Sequence, residues 1–268
     1  MVGRYIGNVL VKELERKISY LRELDSHDVL TSCQKRRRKS IEKNAKVNSF
    51  RIENPGTQVP FCVPRNKNRH GIREGIENIT NASRWAITNF DPDNFDESFF
   101  RGIAIRIFPD IYVGDFAEYR TTGTSISGAT VTPPDPYKLR AIEIPWLVDS
   151  LRSQFRLDGG VHRVETAIFS HLHMARIHPF VDGNGRTARV LQDTILDYSR
   201  IPVPVVESGE RMTYYDLLDR AVYDWKHNGG KEYGVVTNGE ERFFNYIAGK
   251  INVSLDNVLE KCACPNHH

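Results

Sequence analysis

Apolar residues recur at helical spacing on both sides of one polar stretch past the middle of the chain. Val161, Val164, Ile168, Leu172 and Ala175 stand three or four positions apart, which places one apolar stripe on a helix. Ala188, Leu191, Ile195 and Tyr198 repeat the pattern, so a second helix follows and the stretch between the two is a loop. A third helix is expected to start at Thr213, with Thr213 as N-cap and Asp216 near it, and to stop at Asn228-Gly229-Gly230. A fourth is expected from about Glu240 to Ile251.

Upstream, the chain as far as Asn89 is polar and helical in character, and Pro55 with Gly56 stops the helix that contains Arg51 to Glu53. The next stretch, GTQVPFCVPRNKNRHG, carries Pro60, Pro64, Gly56 and Gly71 and reads as an extended connection. From Gly114 to Pro136 the text changes to GDFAEYRTTGTSISGATVTPPDP. Thr, Val and Ile there favour short strands, and Gly123 and Gly128 favour turns, so a small β-hairpin is expected. No internal repeat is visible, and the pattern sums to a mainly α fold with one hairpin.

Composition adds bounds. The chain has 268 residues, 37 Lys plus Arg against 34 Asp plus Glu, and 40% hydrophobic residues, ordinary for a globular protein able to bury a core. A net charge of +3 is too small to imply nucleic acid as a partner. The opening MVGRYIGNVLVKELERK meets charged residues too early for a signal peptide. No apolar run approaches the roughly 20 residues that span a bilayer, so no membrane is implied. Cys33, Cys62, Cys262 and Cys264 are too few and too scattered for a disulfide framework, and a reducing, cytoplasmic setting is expected.

The loop between the two central helices reads HPFVDGNGRTAR, His178 to Arg189. Pro179 disfavours the α region for His178, which is therefore expected in extended conformation, facing a cleft. Gly183-Asn184-Gly185 leads straight into a helix whose first N–H groups favour anions. Arg186 and Arg189 lie three apart on one face of its first turns, where the macrodipole already disfavours cations, so a strong anion is implied. Asp182 fits that anion if a hard divalent cation bridges it to phosphates. Mg²⁺ and ATP, or a similar nucleotide, satisfy the set, with His178 as a general base for an attacking hydroxyl. Phe180 points into the core and anchors the loop.

HPFVDGNGRTAR resembles the signature of the Fic family, H-x-F-x-[DE]-G-N-G-R-x-x-R, at every specified position. The Thr/Ser/Gly segment, with YRTT before it and PP after it, is similar to the family's flap, and the recognisable region runs from about Phe99 to Tyr198. The resemblance implies a Fic-type helical bundle that transfers AMP from ATP to a Ser, Thr or Tyr hydroxyl of a target protein. It makes His178 the base and Asp182 the Mg²⁺ ligand. Gly183, Asn184 and Gly185 become the phosphate cradle, with Arg186 at the β-phosphate and Arg189 at the γ-phosphate. The flap, Thr124 to Thr132 and in particular Thr124, Ser125, Ile126, Ser127 and Gly128, would align the target by strand-like pairing.

The family is often inhibited by a helix carrying [ST]-x-x-x-E-[GN]. Of Glu53-Asn54, Glu74-Gly75 and Glu77-Asn78, only Glu53 has Ser or Thr four residues before it, in SFRIEN. Ser49 and Glu53 would share a helix face, from which Glu53 could pair with Arg189 and displace the γ-phosphate. The expected division is residues 1–95 with an inhibitory helix around 40–54, a Fic core at 96–205, and C-terminal helices with a disordered tail at 206–268.

Other features take structural readings. His171 and His173 read as satisfied polar residues, and Trp85, Trp146 and Trp225 as core. The run Lys35 to Lys39 reads as a solvated helix face rather than a nucleic-acid contact. Cys262, Cys264, His267 and His268 crowd one terminus and read as an adventitious metal binder. Two alternatives remain beside AMP transfer: removal of AMP from a modified target, and a non-catalytic nucleotide-binding module. Salt-sensitive nucleic-acid binding without a modified protein would mark the latter. The target, self-modification and self-association stay open.

Overall fold

The computed structural model describes residues 5–55, 70–112, 114–126, 128–157, 159–230 and 235–260. Its helices are α1 (Asn8–Ser26), α2 (Ser32–Glu53), α3 (His70–Asn89), α4 (Glu97–Ile107), the short α5 (Pro136–Lys138), α6 (Ile144–Phe155), α7 (Gly160–Ile177), α8 (Asn184–Tyr198), α9 (Arg211–His227) and α10 (Asn238–Leu259). A π-helical turn, Leu139–Glu143, joins α5 to α6.

The apolar stripe read on α7 is part of a wider buried surface, because helices pack around it on nearly every side. Residues Thr166 to Ile177 of α7 are all buried, and α1, α6, α8, α9 and α10 pack against it. Its closest companion is α8, which buries Ala188, Leu191 and Ile195. A single core cluster draws on α1 to α4 and α6 to α10 together. The three tryptophans belong to this packing, with Trp146 5.7 Å from Trp225 and Trp85 5.6 Å from Phe99 between ring centroids.

The end of α2 is placed with care. A capping box between Thr31 and Gln34 starts the helix, and it stops at Glu53, one residue before Asn54-Pro55. Near its end, the Arg211 guanidinium donates to the Ile52 carbonyl at 2.7 Å and the Ser208 N–H donates to Asn48 Oδ1 at 3.2 Å. These contacts hold the last turn of α2 against the start of α9 and over α8.

Two helix boundaries move. The third helix starts at Arg211, not Thr213, with Glu210 in the N-cap position. The fourth is longer at both ends, because Thr237 and Glu240 form a capping box and apolar positions continue to Val258.

The expected hairpin does not form: the described residues of 114–135 contain no strand. Among the described residues the two arms form no backbone ladder with each other; they bond to α4, to the loop after α7 and to side chains. The Ala117 N–H donates to the Arg101 carbonyl and the Arg120 N–H to the Pro179 carbonyl, while the Ala129 N–H closes a turn on Ile126. Thr130 donates from both N–H and Oγ1 to the Asp219 carboxylate, each at 2.8 Å. A lone two-stranded ribbon is marginal in water, and strand propensity without a partner does not carry it.

The basic run is mostly engaged within the chain. Lys35 pairs with Asp28, Arg37 with Glu260 and with two carbonyls at the end of α10, and Arg38 with Glu42 and Asp197. Cys33 is disulfide-bonded, a feature that the expectation of a reducing setting did not include. The expected extended connection lies outside the described residues apart from His70 and Gly71, which open α3 instead, and the Cys/His tail lies outside them as well. No helix among the described residues is long and apolar enough to cross a membrane.

Candidate active site

His178 closes α7. Its φ of 51° and ψ of 55° are left-handed, and its N–H donates to the Met174 carbonyl at 3.1 Å. The expectation of an extended histidine is therefore corrected. Pro179 excludes the right-handed region, but the helix end needs a left-handed residue to satisfy its last carbonyls, and that conformation meets both demands. Histidine is among the few residues that enter it with some frequency.

The half-buried imidazole also hydrogen-bonds the Ala175 backbone. That contact favours the protonated ring, but burial outweighs it. Burial pushes the pKa below the usual histidine value, and the neighbouring Arg120 cation lowers it further. The ring is neutral at neutral pH, as a general base must be.

Beyond His178 the loop is shaped by its own side chains. Phe180 is fully buried, as expected, and lies 5.6 Å from Tyr119 between ring centroids. The Asn184 side chain brackets it, accepting from the Phe180 N–H at 2.8 Å and donating to its carbonyl at 2.9 Å. Asn184 thus contributes to any phosphate cradle through its backbone N–H, its amide being committed to the loop. Gly183 has φ +79°, and a Cβ there would meet the Phe108 ring at 2.9 Å, so the turn requires glycine.

Helix α8 begins at Asn184 with no side-chain cap, which leaves its first N–H groups available to an anion. Arg186, in the first turn, is 8% exposed and stacks on Phe108 at 4.2 Å. Its Nε has no hydrogen-bond partner and its ion pair with Asp182 is long, at 3.5 Å. Asp182 itself is exposed and accepts from the Gly183 N–H. Its outward carboxylate suits a hydrated Mg²⁺ that takes most of its ligands from water and phosphate.

Arg189 is fully engaged. Its Nε donates to Ser49 Oγ at 2.8 Å, one terminal nitrogen to the Ser49 carbonyl at 3.1 Å and to Glu53 Oε1 at 2.6 Å, and the other to the Tyr214 hydroxyl at 3.3 Å. Burial alone would raise the Glu53 carboxyl, but the Arg189 charge and hydrogen bond outweigh it and hold the group below the usual range. The Tyr215 hydroxyl donates to Glu53 Oε2 at 3.3 Å. The carboxylate also fills the space beside Gly185 where a side chain would sit.

The structure therefore brings together His178, Asp182, Gly183, Asn184, Gly185, Arg186 and Arg189 in one loop and helix start, with Ser49 and Glu53 of α2 against them. Of the flap residues, Thr124, Ser125, Ile126 and Gly128 lie in the unpaired segment, and Ser127 lies outside the described residues.

Sequence reasoning missed the groups beneath Arg189. The buried His171 ring meets Gln192 Oε1 and the Tyr214 hydroxyl, each at 2.8 Å. With Nδ1 donating to the amide oxygen, Nε2 accepts from Tyr214, whose oxygen then faces Arg189. His171 lies seven residues before His178, about two helical turns, a spacing that offered a signal. His173 is buried against Trp146 and Trp225; its Nδ1 accepts from Arg176, while its Nε2 has no partner.

A helical domain with this loop between its two central helices defines a recognisable class. Residues 94–196 match the model of the Fic/DOC family, and the chain carries a Fic/DOC domain. It is similar to the protein adenylyltransferase Fic of Drosophila willistoni, 34% identical over 104 residues that make up 39% of this chain and 20% of that one. It is also similar to the protein adenylyltransferase Fic of Nematostella vectensis, 43% identical over 61 residues, 23% of this chain and 14% of that one. The match thus spans a fifth or less of these curated relatives. The fold is shared with the crystal structure of a Fic domain containing signaling protein from Bacteroides thetaiotaomicron, with a TM-score of 0.67, 22% identity, and 93% and 96% of the two chains covered. Fic-1 from C. elegans gives a TM-score of 0.69 at 19% identity, with 94% of this chain and 72% of that chain covered.

Proposed function

We propose that the chain is a protein adenylyltransferase that moves AMP from ATP, with Mg²⁺, to a Ser, Thr or Tyr hydroxyl of a target protein. The observation that carries this reading is Arg186: a buried guanidinium with a donor lacking any partner, beside the uncapped start of α8. A buried cation in that state is costly unless an anion completes it. A triphosphate does so, and the names of the curated relatives point to the same substrate.

His178 takes the proton from the target hydroxyl. The hydroxyl oxygen bonds to the α-phosphorus, the bond from that phosphorus to the oxygen leading to the β-phosphate breaks, and pyrophosphate leaves. Arg186 and the N–H groups of Gly185 and Asn184 hold the phosphates in line. Mg²⁺ at Asp182, when bound, neutralises phosphate charge. The target is a protein whose identity the site leaves open; for comparison, the related domain IbpAFic2 has been crystallised covalently tethered to Cdc42.

The same reading makes Glu53 an inhibitor. Its ion pair occupies Arg189, and its carboxylate fills the space beside Gly185, so a nucleotide must displace it to bind productively. Two experiments separate these claims. Mass spectrometry after incubation with MgATP and lysate proteins should detect more AMP adducts with Glu53→Ala than with the unsubstituted protein, and none with Glu53→Ala/His178→Ala. MgATP binding without any adduct would move the assignment to a nucleotide-binding module.

A further inference from the structure

Arg120 precedes the unpaired segment and is 4% exposed. Its guanidinium serves three carbonyls at once: Nε donates to His178 O at 2.8 Å, Nη1 to Thr122 O at 2.9 Å, and Nη2 to Pro134 O. Its own N–H donates to Pro179 O at 2.9 Å. One side chain therefore ties the residue after α7 to the outgoing and returning arms of the segment, 122 and 134.

We propose that Arg120 is a positioning residue that sets the distance between the general base and the aligned target hydroxyl. The inference rests on reading His178 as the base and 124–132, within the segment 121–135, as the target-aligning flap. Three features support it. The described residues of 121–135 contain no strand, so no ladder between the arms holds the segment's shape. His178 sits in a left-handed conformation that persists only where its surroundings over-determine it, and Arg120 holds the carbonyls of both His178 and Pro179. The guanidinium plane matches three fixed acceptors as a lysine ammonium cannot. Movement of either flap arm is thereby transmitted to the peptide that orients the imidazole.

The test uses the full chain in the Glu53→Ala background, with Arg120→Lys and Arg120→Gln compared with their parent. Hydrogen exchange over 121–126 and 128–135 should quicken about tenfold while exchange in α7 and α8 stays unchanged. MgATP affinity should stay within about twofold, because Arg120 reaches none of the phosphate-facing groups. AMP transfer should fall about 10²-fold, shared between a lower kcat and a higher acceptor KM, and Arg120→Lys should not restore it.

A lysine variant with unchanged flap exchange or unchanged transfer would overturn the proposal. So would exchange that quickens equally throughout α7 and α8, or unfolding of both variants seen by circular dichroism, since Arg120 would then be a residue of the fold rather than of the site. If the parent modifies no acceptor, the adenylylation reading fails, and the exchange and MgATP measurements still decide whether Arg120 secures the flap apart from the phosphate site.

Discussion

Replacing Glu53 by alanine should lower stability and raise nucleotide affinity by related amounts. The Glu53 to Arg189 contact is 2.6 Å long, between side chains that are 27% and 8% exposed. Breaking a fully buried pair by removing one partner costs about 3–5 kcal/mol, and a charged hydrogen bond contributes about 1.5–3. Arg189 keeps its bonds to Ser49 and Tyr214, and solvent reaches the Glu53 side, so the lower range applies. About 2 kcal/mol corresponds to a fall in Tm of roughly 4–8 °C for a chain of this size. A nucleotide that must first break the pair loses the same free energy, so Glu53→Ala should bind MgATP about 30-fold more tightly. Calorimetric titration with a non-hydrolysable analogue measures the affinity, and thermal melts with and without it measure the stability. Equal affinity in both proteins, with the expected loss of Tm, would show that the pair is structural and does not compete with phosphate.

Further outcomes follow from other contacts. Arg186→Gln should weaken MgATP by about 30-fold or more while leaving Tm unchanged or higher, because it removes a buried and incompletely satisfied cation; titration and melting together check it. With His178 depressed by burial and by Arg120, the kcat/KM profile should have its acid-side midpoint below 6.5, the rate falling as the ring takes a proton; a midpoint above 6.5 would contradict the assignment. Gly102→Ala places a Cβ inside the Trp85 ring and should cost about 1–3 kcal/mol by urea unfolding, with MgATP affinity unaltered. His171, depressed to about 3, should remain neutral at pH 5 by NMR; its share of stability is complete above about 6.5 and declines as pH falls toward 3, because only the unfolded chain takes up the proton.

The β-hairpin shows where local reasoning ends. Thr, Ser and Gly in 114–135 carry strand and turn preferences, but a strand is a relation between two segments. Here the backbone partners are Arg101 and Pro179 and a side-chain partner is Asp219, all outside any local window, while Arg120 joins positions 122 and 134 through its guanidinium rather than through a ladder. The left-handed His178 has a similar origin, since a pairwise rule about proline excludes one region without choosing between the others.

By itself the sequence determined the helices that flank the loop, the burial of Phe180, and the placing of His178, Asp182, Arg186 and Arg189 within one short stretch. Each depends on residues close in the chain, where spacing sets geometry. The match of Ser49 and Glu53 to Arg189 could be anticipated as a shared helix face, but the contact joins α2 to α8 across 136 residues and required the packed molecule. Only the tertiary structure decided that His171 and Tyr214 lie beneath Arg189 and that Arg120 binds three carbonyls. Those side chains act through partners far along the chain, and burial selects such partners by fit and hydrogen bonding rather than by any pattern along the sequence.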